Sequence, residues 1–230
     1  MGYASIEEIV KEVKEWQFIK DLSENLYGFK KETPFTMDKL DGQVLNICIY
    51  SKPEINAEVK ITYSTETFDY ILVRREGLNE FRDLRFIFKS RKNFEEKLIN
   101  RLDDIIKKMA ERDEFKTDIL LEGTGVLEWE YGKNLPKKIG EFELYANPNS
   151  IIEYINGSVI FLDYSNFKRN DQFALYYNKL RNDYFAEIKL AGVSRTIRDF
   201  DCKNMEEMDK LVKMNLEKYL YMMSKSDHSI

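Results

Sequence analysis

The sequence predicts an α+β fold of antiparallel meander sheets covered by amphipathic helices, and three observations carry that expectation. Segments that alternate apolar and polar residues recur at short spacing, the pattern of hairpin strands with one dry face. Only 10 Gly and 4 Pro occur in 230 residues, which leaves little room for long linkers. Twice a β-rich stretch enters an amphipathic helix through nearly the same letters, Lys92-Asn93-Phe94-Glu95-Glu96 and Lys203-Asn204-Met205-Glu206-Glu207. Each holds an Asn able to cap a helix and a Glu three residues on that can reach back to the cap.

In chain order, Ser5 and Glu8 predict a capped helix whose apolar positions are Ile6, Ile9, Val10 and Val13, with a bend near Gln17. Gly28 and Pro34 predict that it ends in a loop reaching Gln43. Strands follow near 43–51, 57–65, 68–76 and 82–90. In the second, Val59, Ile61 and Tyr63 face one way and Glu58, Lys60 and Thr62 the other; in the fourth, Leu84, Phe86 and Phe88 oppose Asp83, Arg85 and Lys89. A helix from Phe94 to Met109 covers them. Past Asp113, strands are expected at Asp118–Tyr131 and Ile139–Ala146, a short helix through Ile155, strands near 157–164, 171–178, 183–190 and 194–200, and a closing helix from Met205.

This order gives two parts, 1–113 (helix, four-strand meander, helix) and 114–230 (strands, short helix, strand meander, C-terminal helix), which could also form one continuous domain. If they repeat one another, two sheets could join as a pseudo-twofold saddle, similar to the TATA-binding-protein architecture; that likeness concerns fold and assigns no function. Against a repeat stands the phase of the helical stripes: aligning the five-letter matches sets Leu98 opposite Asp209 and Ile99 opposite Lys210.

Net charge is −5 and the calculated pI about 5.3, so the chain lacks the global positive field of a nucleic-acid or anionic-membrane binder. Neither a signal peptide nor a membrane-spanning apolar run is visible, and two unclustered cysteines, Cys48 and Cys202, form no disulfide framework. A cytoplasmic location is expected. The single histidine, His228, lies in the polar tail, which excludes most triad and His-rich metal chemistry.

Three constellations could carry function. Glu187-Ile188-Lys189 on a strand, with Asp163 ending an earlier apolar strand, resembles the core of the PD-(D/E)xK nuclease superfamily. That resemblance implies Asp163 and Glu187 as Mg²⁺ ligands and Lys189 as a charge stabiliser in catalysis; no other cofactor is expected. The segment 70–93 has a local excess of four positive charges, and Arg74, Arg75, Arg85 and Lys89 with interleaved Phe could follow a phosphate backbone. Residues 114–163 carry an excess of five negative charges, an asymmetry that suits a protein partner or self-association. Within them Glu128 with Glu130, and Glu141 with Glu143, are expected on outer strand faces. With no histidine chemistry and no nucleotide loop, the expected function is a non-catalytic protein-binding module, immunity- or antitoxin-like. A Mg²⁺-dependent nuclease and a nucleic-acid-binding module are the alternatives.

Overall fold

The computed structural model describes residues 5–39, 41–112, 121–154 and 157–226. His228, the start of the strand predicted from Asp118, and Ile155 lie outside them. The chain divides into two compact units, Met1–Glu111 and Arg112–Ile230.

In the first unit, α1 (Ile6–Lys14) starts at a full capping box, Ser5 Oγ accepting from the Glu8 amide while the Glu8 carboxylate accepts from the Ser5 amide. A break at Trp16 leads to α2 (Gln17–Asp21). Short strands β1 (Asn25–Leu26), β2 (Phe29–Glu32) and β3 (Thr36–Met37) occupy the stretch expected as loop. The meander β4 (Val44–Lys52), β5 (Ala57–Ser64), β6 (Asp69–Glu76) and β7 (Asn79–Phe88) then runs into α3 (Arg91–Ile99) and α4 (Leu102–Ala110). The antiparallel sheet has the order β1-β2-β4-β5-β6-β7, with β3 also on β4. Val59, Ile61 and Tyr63 join Phe94, Leu98 and Ile106 in one core, the side the alternation predicted.

The second unit contains α5 (Glu130–Lys133), β8 (Lys138–Ile139), β9 (Phe142–Ala146), β10 (Ile152–Glu153), β11 (Ser158–Asn166), β12 (Asp171–Asn178), β13 (Asp183–Leu190), β14 (Val193–Cys202) and α6 (Met205–Lys225). Its sheet order is β8-β9-β11-β12-β13-β14, with β10 also on β11, the strand order of the first unit.

The correspondence extends to residues. Positions 44–110 match 158–224 at a constant shift of 114, and 13–29 match 126–142 at a shift of 113. Both Tyr50 and Tyr164 donate a hydroxyl to a loop carbonyl, of Ser23 and Pro136, at 2.6 Å. The indoles of Trp16 and Trp129 donate to Glu95 and Asp209, at 2.5 and 2.8 Å. Irregularities fall at Asn46/Cys48 in β4 and Ile160/Leu162 in β11, and Asn56 and Asn170 both adopt positive φ.

This register corrects the objection from helical phase. Ser90, not Asn93, caps α3, its Oγ accepting from the Asn93 amide at 3.4 Å, and it corresponds to the cap Asn204 of α6. The five-letter match is therefore three residues out of step. In the true register Phe94, Leu98, Leu102, Ile106 and Met109 fall on Met208, Val212, Leu216, Leu220 and Met223, all buried.

Three further expectations are corrected. Residues 122–128 form turns and bends and Glu130–Lys133 a helix rather than a strand, because Leu121, Val126 and Trp129 are all buried in one core. Glu128 and Glu130 consequently share no strand face. The segment predicted as a short helix contains β10, since Ile152 and Glu153 pair with Ile160 and Val159. Leu84 is 68% exposed rather than inward: between its pairings with Val73 and Ile71, β7 advances from Arg82 to Ile87, and simple alternation is lost.

Candidate functional site

The four candidate basic residues of the first unit, Arg74, Arg75, Arg85 and Lys89, are held by carboxylates of their own sheet. Arg75 binds Glu58 at 2.6 Å, Arg85 grips both oxygens of the buried Asp83 at 2.9 and 2.7 Å, and Lys89 lies 3.3 Å from Asp69. Arg74, largely buried, lies between Glu76 and Asp83 at 3.9 and 4.0 Å, with its guanidinium 4.4 Å from the Phe81 ring centre. Their positive charge is largely neutralised where it arises.

Burial would raise the Asp83 carboxyl, but the Arg85 hydrogen bonds and the charges of Arg85 and Arg74 prevail and hold it below the usual range. Asp209 shows the same balance, burial opposed by hydrogen bonds from Lys213 and Trp129. A depressed carboxyl contributes stability above its unfolded value of about 3.9 and loses it as pH falls through the folded value. The melting temperature is therefore expected to fall on acidification below about pH 4, and less steeply in Asp83→Asn. Equal slopes in wild type and variant would refute the assignment to Asp83.

In the second unit, Asp163 on β11 and Glu187 on β13 both pair with Ala174 on β12 and so lie in one row, their backbones roughly 10 Å apart. Lys189, two residues beyond Glu187, pairs with Gln172, which pairs with Ser165. The structure thus brings the three residues to one face. Asp163 is fully buried, accepting from Ser165 Oγ at 2.7 Å and Gln172 Nε2 at 2.5 Å. Burial lowers the affinity of Lys189 for its proton, opposed by the charges of Asp163 and Glu187.

Glu187 lines a cleft of about 590 Å³ with Phe185, Asp183, Asp201, Arg181 and Lys203; Asp163 is not in the lining. Asp183 is clamped by Arg181 at 3.2 Å and Lys203 at 3.5 Å, and the Arg181 guanidinium stacks 5.1 Å from Phe185. Among the described residues, no group of three or more His, Cys, Asp or Glu is placed to hold a metal ion. Burial raises the thiol of Cys48 to about 12 and that of Cys202 to about 11, far from reactive thiolates.

The Met and Tyr residues of the last helix read in the sequence first as core, with an adaptable docking surface as the minority reading, and the structure divides them, burying Met208 and Met223. On α6, Met214 (67% exposed), Tyr221 (65%) and Met222 (45%) point outward. Their counterparts on α3 and α4 and the bend between them are Asn100, Lys107 and Lys108. Likewise the exposed Leu180 stands where the first unit has Glu66. At positions where one unit is polar, the other presents apolar side chains to solvent. Comparison with protein-family models, curated proteins and solved structures gives no match to this chain. No helix among the described residues is long and apolar enough to cross a membrane.

Proposed function

We propose that the chain is a non-catalytic, cytosolic protein-binding module that engages its partner through the second unit, in an immunity- or antitoxin-like role that works by covering the partner's surface. One observation carries this reading: the outer face of α6 replaces the polar residues of its repeat counterpart with Met214, Tyr221 and Met222, left exposed. Exposed apolar side chains destabilise nothing they do not touch, yet they cost solubility, and clustered on one element they mark interaction sites. Methionine suits such a surface because its unbranched, polarisable side chain adapts to the shape opposite.

The double variant Met214→Lys, Tyr221→Lys restores the polarity of the first unit and is expected to melt within about 2 °C of wild type, as exposed substitutions do. Co-purification from the native host should return a defined protein with wild type and lose it with the variant. Retention of the same partner by both proteins would refute this face as the docking site.

A further inference from the structure

In the first unit the β1–β2 turn is Tyr27-Gly28, both at positive φ, and Tyr27 leans against α4. Its hydroxyl donates to Asp103 at 2.7 Å, and the Lys107 ammonium lies 5.9 Å from its ring centre. The bond to Asp103, then burial and that carboxylate's charge, raise the phenol above its usual range, as expected for a hydroxyl donating to a carboxylate.

In the second unit Ile139 and Phe142 take the places of Leu26 and Phe29, with the same pairing across a two-residue turn. The position of Tyr27 is occupied by Gly140, at φ +59°, and no atom beyond the glycine and its two chain neighbours lies within 4 Å of where its Cβ would be. Asp103 corresponds to Glu217, which carries no hydrogen bond or ion pair among the described residues. Between the turn and α6 lies a groove of about 450 Å³ lined by Gly140, Phe142, Glu217, Leu220, Tyr221 and Lys225. The unit thus keeps a counterpart of the carboxylate that receives a tyrosine and lacks the tyrosine.

We propose that the groove beside Gly140 binds a tyrosine side chain of the protein partner, its hydroxyl donating to Glu217 as Tyr27 does to Asp103. This rests on the protein-binding reading and supplies its chemistry. The ring would enter beside Phe142 and Tyr221, where an offset or edge-on arrangement of aromatic rings is favourable, and Tyr221 belongs to the exposed face of α6. Tyrosine combines a large apolar surface with a polar tip at low conformational cost, which suits an interface anchor.

The probe is p-cresol, the tyrosine side chain alone, titrated into the isotope-labelled full chain while amide resonances are followed. A saturable shift of Gly140 is expected in the millimolar range, as an order of magnitude for so small a ligand. Glu217→Gln should weaken it roughly threefold or more, because the bond then loses its charge assistance. Gly140→Tyr, an attempt to copy the first unit, should abolish it, and a crystal structure of that variant should show the new ring in the groove with its hydroxyl on Glu217. Absence of saturation, equal affinity in Glu217→Gln, or a ring turned to solvent would overturn the proposal. A partner released from wild type by excess p-cresol and not retained by Gly140→Tyr supports it. A partner retained by Gly140→Tyr overturns the tyrosine anchor while leaving the protein-binding reading intact. If wild type retains no partner at all, that reading fails instead, and with it the assignment of the groove to a partner.

Discussion

Trp129→Ala should destabilise the second unit by about 3–5 kcal/mol, and Trp16→Ala the first by a similar amount, the range for removing a large buried aromatic. Trp129 is 5% exposed, meets Phe161 edge to face at 5.9 Å and donates to Asp209. The backbone also closes on its ring: a Cβ at Gly132 would fall 2.0 Å from it, so no larger residue fits there without displacing the indole. The first unit carries Ile19 at that position. Truncation therefore leaves a cavity and strips one hydrogen bond from Asp209, while the main-chain bond from the residue 129 amide to the Val126 carbonyl, 3.2 Å, is retained. The chain has 2 tryptophans, one per unit, so each variant retains a fluorophore in the unit it does not alter. Urea unfolding followed by circular dichroism and by the remaining tryptophan reads the two effects separately. A loss below about 1 kcal/mol in either variant would show that its indole is not the anchor described.

These two residues also show what the sequence revealed of the fold and what it concealed. Val13-Lys14-Glu15-Trp16-Gln17-Phe18-Ile19-Lys20-Asp21-Leu22 and Val126-Leu127-Glu128-Trp129-Glu130-Tyr131-Gly132-Lys133-Asn134-Leu135 are the true repeat signature, with Val, Glu, Trp, Lys and Leu in common. It was legible but hidden by the capping-box match at the helices, where physics alone favours an Asn and a Glu. The long strands were readable from sustained apolar runs, alternating along the first half of β5 and unbroken in β11 and β12, while β7 and β14 alternate only in part. The short strands β1, β2, β3 and β10, of two to four residues, are too brief to show a period, and the sequence reading missed them. The same limit hid the groove beside Gly140. A glycine in a turn reads as turn chemistry, and only the counterpart turn, with Tyr27 seated on Asp103, gives its bareness a meaning.

Asp163→Ala should destabilise the second unit by about 3 kcal/mol, the lower end of the cost of breaking a buried ionic network. The substitution removes the acceptor of both Ser165 and Gln172 and takes one of two nearby negative charges from Lys189, which burial already disfavours in its charged form. The first unit shows what such a network does on this sheet. Lys189 corresponds to Arg75 and Gln172 to Glu58, and there the cation is paired across adjacent strands at 2.6 Å. Asp163 and Glu187 correspond to Ile49 and Val73, so a carboxylate has moved from one strand to its neighbours while the cation stays in place. Compensation of a constant cation accounts for the arrangement without catalysis. The nuclease expectation makes the opposite prediction, because two carboxylates arranged for Mg²⁺ repel each other when it is absent. Removing one would then raise the melting temperature, and Mg²⁺ would stabilise wild type only. Thermal unfolding of wild type and Asp163→Ala, each with and without Mg²⁺, decides between them. A structural role gives a lower melting temperature in the variant and no difference in the response to the ion.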